Sequence, residues 1–152
     1  MADTIETIEL GKAIKAGLDT ALASAYPVYC SGVPTDEEGN LDDNATENVH
    51  KLPCAVVTMR ERDPHGYRSV IQAYPGMVRV ETNYGSDPFQ VGMYTIARAV
   101  GNWLTDASTT ISPSLRNFDA LVVEGPPEVG VTEDNVQYEQ WEITVHTTPT
   151  AA

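Results

Sequence analysis

Ile14, Leu18, Leu22 and Ala25 recur at spacings of four and three near the start of the chain, the apolar stripe of an amphipathic helix. Asp3 or Thr4 is placed to cap it, and Glu6 and Glu9 lie toward the positive end of its dipole. Lys12 and Lys15 fall off the stripe, and Pro27 closes the segment. A second helical period runs through Met93, Ala97, Val100 and Leu104, widened by Ile96 and Trp103. Its start is marked by Asp87 as N-cap, Pro88 at the first helical position and Gln90 where a capping box takes Glu or Gln. The pattern breaks over 106–113.

The remaining apolar positions follow the two-residue period of strands. A short strand is expected at 26–31, with Val28 and Cys30 on one side, and a firmer one at 52–62 around Val56 and Val57. Asp63-Pro64-His65-Gly66 has the composition of a turn. Strands at 67–73 and 77–83 are expected to be separated by Tyr74-Pro75-Gly76; in the second, Val78, Val80 and Thr82 alternate with Arg79, Glu81 and Asn83. A strand at 115–124 puts Phe118, Ala120 and Val122 on one side, and Gly125-Pro126-Pro127 ends or bulges it. The last strand, 135–147, presents Trp141, Ile143 and Val145 on one face. The reading is α+β: an antiparallel-dominated sheet of about four to five strands with two main helices packed on one face. Residues 1–152 form a single domain, with a long acidic loop at about 32–50 that has no periodicity.

The chain has 152 residues, room for one core. Its 41% hydrophobic and 20% charged composition excludes wholesale disorder. The net charge of −13 argues against specific binding to phosphate backbones. It serves solubility, and it equally suits a wall past which DNA slides without sticking. The first ten residues carry Asp3, Glu6 and Glu9 and no base, the reverse of a secretory signal, so use in a cytoplasm, or in a particle assembled there, is expected. Cys30 and Cys54 read as two buried small hydrophobes, with a disulfide between them left open.

The motifs that carry chemistry are not met. His50, His65 and His146 are scattered, and neither Cys begins a Cys-x-x-Cys pair, so no metal site is expected. When Gly39 is aligned with the glycine of an EF-hand, Pro34 and Ala45 fall at the first and last ligand positions, which leaves a solvated acidic loop as the stronger account of 36–43. There is no phosphate-binding glycine loop and no nucleophile elbow. No cofactor and no catalytic residue is expected. Two features suggest contact with other subunits instead. Tyr67, Tyr74, Tyr84 and Tyr94 are concentrated mid-chain, where interface and core are both open readings. Arg60, Arg62 and Arg68 flank one turn of an acidic protein, and either pair with an acidic neighbour or are simply solvated.

An amphipathic helix precedes a long polar segment and the strand Pro53-Cys54-Ala55-Val56-Val57-Thr58. Val78-Arg79-Val80-Glu81-Thr82 leads into a helix with Asp87 before it and 97–104 inside it. A pair of strands closes the chain, the last being Asn135-Val136-Gln137-Tyr138-Glu139-Gln140-Trp141-Glu142-Ile143-Thr144-Val145. This order resembles the tail terminator (tail completion) proteins of long-tailed bacteriophages over most of the chain. The resemblance implies a virion protein at the tail–neck junction and no enzyme. Its self-association into a hexameric ring would cap the tail tube, stop tube polymerisation and offer a docking surface to the neck and head. Partners would be further copies, the tail tube protein and a neck or head-completion protein, with DNA passing but not specifically bound and no membrane. On this reading Arg60, Arg62, Arg68 and Tyr84 are candidate subunit contacts, and the loop carrying Asp36, Glu37, Glu38, Asp42, Asp43 and Glu47 faces the lumen or the tube. The alternatives are a head–neck adaptor or tail-tube-related subunit of the same particle, or an acidic inhibitor of the immunity type.

Overall fold

The computed structural model describes residues 7–23, 25–30, 51–60, 72–83, 91–111 and 118–147. Helix α1 spans Thr7–Ala21 and α2 spans Val91–Ile111; the strands are β1 Val28–Cys30, β2 Cys54–Met59, β3 Gln72–Asn83, β4 Phe118–Val123, β5 Glu128–Val131 and β6 Val136–Thr147. The strand order is β1-β2-β3-β6-β4, with β5 also on β6. The class is α+β, as expected. The sheet differs from the expected antiparallel-dominated one of four to five strands: it is mixed and has six, because β1 runs parallel to β2. Parallel neighbours need a crossover of a dozen residues or more, and residues 31–53 supply that length.

At the centre, all twelve residues of β3 pair antiparallel with β6, from Gln72 opposite Thr147 to Asn83 opposite Val136. The turn expected at Tyr74-Pro75-Gly76 is instead the interior of this strand. The Pro75 carbonyl accepts from Arg60 N–H at 2.9 Å, so its donor-less nitrogen also faces β2, where Met59 is the last residue of the strand. The ladder to β6 on the other side loses nothing. Tyr74 is buried in the core rather than exposed at a turn.

Alternation then decides which face is covered. Val28 and Cys30, Ala55 and Val57, Val78 and Val80, and Trp141, Ile143 and Val145 align across the ladders on one face. Leu10, Ile14 and Leu18 of α1 and Leu22 just after it pack over them, together with Met93, Ile96, Ala97, Val100, Trp103 and Leu104 of α2. Each fully buried aliphatic side chain is worth about 1.5–3 kcal/mol. Ala25 is exposed beyond α1, and α2 continues past the expected break at 106, because Ala107 and Ile111 extend its buried stripe. Lys15 was expected off the stripe, yet it is buried: its stem lies in the packing and its Nζ reaches Asp19 Oδ2 at 2.9 Å. The proposed caps Asp3, Thr4 and Asp87 lie outside the described residues.

Edge strand β4 carries a register shift between Phe118 and Ala120. That bulge puts Phe118 and Leu121 on the core side and leaves Val122 exposed, overturning the expected Phe118–Ala120–Val122 face. After Glu124 the chain leaves β6 for Gly125-Pro126-Pro127, with Gly125 at φ 77°, and returns to it as β5. A turn at 132–135 joins β5 to β6. Asn135 N–H donates to the Thr132 carbonyl at 3.1 Å and Thr132 N–H to the Val136 carbonyl at 2.9 Å. Asn135 takes the left-handed conformation (φ 59°) that this hairpin type demands.

The two helices touch where Gly17 faces the Trp103 ring, and a methyl group at Gly17 would fall inside that ring. Gly17→Ala should therefore destabilise by about 1–3 kcal/mol, overpacking outweighing the gain in helix propensity. At Gly101 a new Cβ would sit 3.7 Å from Trp141, an ordinary contact, so Gly101→Ala should stabilise by up to about 1 kcal/mol. Denaturant midpoints of the two variants, moving in opposite directions, check both.

Candidate interaction surface

The sheet face away from the helices holds the polar groups that β2, β3 and β6 bring together. Tyr29, Cys54 and Val56 form a small second cluster there with Leu52, and the Tyr29 hydroxyl accepts from Lys51 N–H at 2.9 Å. Beside it, the Arg79 guanidinium lies 3.9 Å over the Tyr138 ring, with its Nε 3.7 Å from Glu81 Oε2. The Tyr138 hydroxyl in turn covers Gly130, and Gln140 Nε2 donates to Glu128 Oε2 at 2.8 Å. These contacts link β3 to β6 and β6 to β5 across their far face.

Cys54 Sγ is 4.0 Å from Glu81 Oε1, which invites a nucleophilic reading. The electrostatics oppose it. Burial first, then the Glu81 charge, push the Cys54 thiol far up, with only Arg79 acting the other way. A reactive thiol needs the reverse shift. Cys30 is likewise raised by burial, opposed by Lys15 and Lys12. Neither cysteine is in a disulfide, and both are buried. Register places Cys30 beside Val57 on the helix face, whereas Cys54 lies on the other face, so the pairing left open by the sequence is closed by geometry. Among the described residues, no three His, Cys, Asp or Glu side chains are grouped to hold a metal ion, and no helix is long and apolar enough to cross a membrane.

Arg60 is exposed immediately after β2. Arg62, Arg68, Tyr84 and the acidic positions Asp36, Glu37, Glu38, Asp42, Asp43 and Glu47 lie outside the described residues. Of the four mid-chain tyrosines, Tyr74 belongs to the core and Tyr94 is 67% exposed.

Sequence reasoning missed a different surface. Beyond Tyr94, the exposed large hydrophobics among the described residues are Val122, Val129 and Val131, all on the β4–β5 edge. Val129 and Val131 alternate onto the helix side of β5, opposite Glu139 and Gln137. The signal was present in the charges. After Arg116 there is no Lys or Arg, while Asp119, Glu124, Glu128, Glu133, Asp134, Glu139 and Glu142 give a formal charge of −7. Residues 60–116 hold six of the nine bases against five acids, a formal +1. The described part of the final segment is thus an acidic, partly apolar sheet edge. Neither family models nor curated proteins give a match to the chain.

Two measurements check this electrostatic picture. In native protein both thiols should react with a chromogenic disulfide reagent far more slowly than in denaturant, where two thiols per chain should titrate; fewer than two would mean a bond. Glu139 is held protonated above its ordinary range by burial, between Val80 and Val129 on the neighbouring strands. The native state therefore binds that proton more tightly than the unfolded chain, and the group's contribution to stability falls as pH rises through its folded pKa. Glu139→Gln should raise the melting temperature at pH 7, and the gain should vanish as pH drops below the ordinary carboxylate range.

Proposed function

We propose that this chain is a structural subunit of a long-tailed bacteriophage particle, a tail terminator whose hexameric ring caps the tail tube, stops its polymerisation and receives the neck of the filled head. The observation that carries the reading is the order of elements. A helix comes first, then a long polar segment and β2; β3 leads into α2, and closing strands end in the long β6. That is the order on which the resemblance to tail terminators rests. Two physical features support it. The helices cover one face of the sheet, and among the described residues no strand pairs with the outer side of the apolar edge at β5, which suits a protein that works through contacts with neighbours. The acidic excess suits a ring through which duplex passes without adhering.

The base-free C-terminal segment also favours a second reading, an acidic inhibitor that masks a basic partner. Self-association separates the two, since an inhibitor of this kind needs none. Electron microscopy of the particle is the direct test. Loss of this protein should yield abnormally long tails, and the wild-type protein should be seen as a ring at the tube end. Tails of normal length that fail to join heads would point to a neck adaptor and refute the terminator assignment.

A further inference from the structure

We infer that the β5 edge and the turn at 132–135 of one copy bind the Tyr94–Arg98 ridge of α2 on a second copy, the contact that builds the ring; it rests on the ring reading above. Strand β5 pairs with β6 on one side, and among the described residues no strand pairs with its outer side. Edge strands are ordinarily guarded by lysine or an inward charge. β5 instead presents Val129 and Val131, 64% and 51% exposed, toward the side where the helices lie.

Charge selects the occupant. The exposed groups around these valines include Glu124, Glu128, Glu133 and Asp134, with no base anywhere after Arg116. Two copies meeting edge to edge about a two-fold axis would set acid against acid. The partner surface must therefore combine an apolar group with a base. Among the described residues, Lys12, Lys51, Arg60 and Arg98 are the exposed bases. Of these, Arg98 alone stands one helical turn from an exposed large apolar group, Tyr94. The dimensions agree. The four residues from Tyr94 to Arg98 rise about 6 Å and two residues of strand advance about 6–7 Å, so α2 laid along β5 with Tyr94 on the valines carries Arg98 toward Glu133 and Asp134. The two surfaces differ, so the contact is head-to-tail, the kind that closes into rings.

Cysteine pairing tests it in the full-length protein. Under mild oxidation, a Val131→Cys chain mixed with a Tyr94→Cys chain should give a covalent dimer, while neither gives one alone. The double variant should give a ladder of covalent oligomers ending at the ring. In light scattering, Arg98→Glu should weaken association at least about tenfold, and adding Glu133→Arg and Asp134→Arg should restore it. Self-dimers of Val131→Cys alone would overturn the contact in favour of a two-fold one. Rings without the mixed cross-link would overturn it while leaving the ring reading intact. Monomers without the cross-link would remove both.

Discussion

The twelve-residue pairing of β3 with β6 is the constraint from which the rest of the molecule follows. Its two strands are far apart in sequence, so forming it closes a long loop before other contacts offset the cost. Once formed, its two-residue period puts Tyr74, Val78, Val80, Trp141, Ile143 and Val145 on a single face. A slip of one residue would turn all of them to the other side. Register is therefore held by burial under α1 and α2, and the helices are held by the face that the register creates. β2 and β4 add to the outer edges of this pair, and β5 finds a place because β6 is longer than β4.

The two faces then acquire different chemistry from the same alternation. The helix side is mostly apolar; among the described residues of the sheet Thr82, Gln137 and Thr147 are buried polar exceptions, and Glu139 is half-buried on the same face. On the other side, Arg79 stacked on Tyr138 and the Gln140–Glu128 bond link strands that no helix among the described residues covers. The thiol and carboxylate that meet there, Cys54 and Glu81, are arranged by burial to keep the thiol protonated. Proximity of such groups is thus a consequence of the register, not a sign of a poised nucleophile.

Much of this was legible in the sequence because local periodicity and tertiary burial agree. The stripe through Met93, Val100 and Leu104, the alternation of Val78 and Val80, and the face of Trp141, Ile143 and Val145 all emerge as expected. The failures occur where a long-range contact overrides a local signal. Tyr74-Pro75-Gly76 reads as a turn, but Pro75 is accommodated because its missing donor points past the end of β2. The face of β4 was misread because a bulge changes phase without changing composition. β5 escaped because a short strand after Pro126-Pro127 has too few residues to show a period. Of the candidate contact residues, Arg60 is the one described, and it is exposed as its polarity implies. The apolar edge was not legible, since exposure of Val129 and Val131 depends on where the helices stop, which no local pattern encodes.

Composition along the chain bears on the proposed contact between copies. A uniformly acidic surface would repel its own copies, and −13 is large for 152 residues. The charge is not uniform, however. The bases are concentrated between Arg60 and Arg116, which includes α2, and are absent from the segment that forms β4, β5 and β6. Self-repulsion is consequently weakest when an acidic edge meets a neighbour's central segment and strongest when two acidic edges meet. On the ring proposal, net charge would keep free copies apart, while its uneven distribution would favour one relative orientation when they associate. In the proposed contact a chain patterned this way would gain orientational specificity from repulsion as much as from attraction, at an edge whose outer side no strand among the described residues pairs.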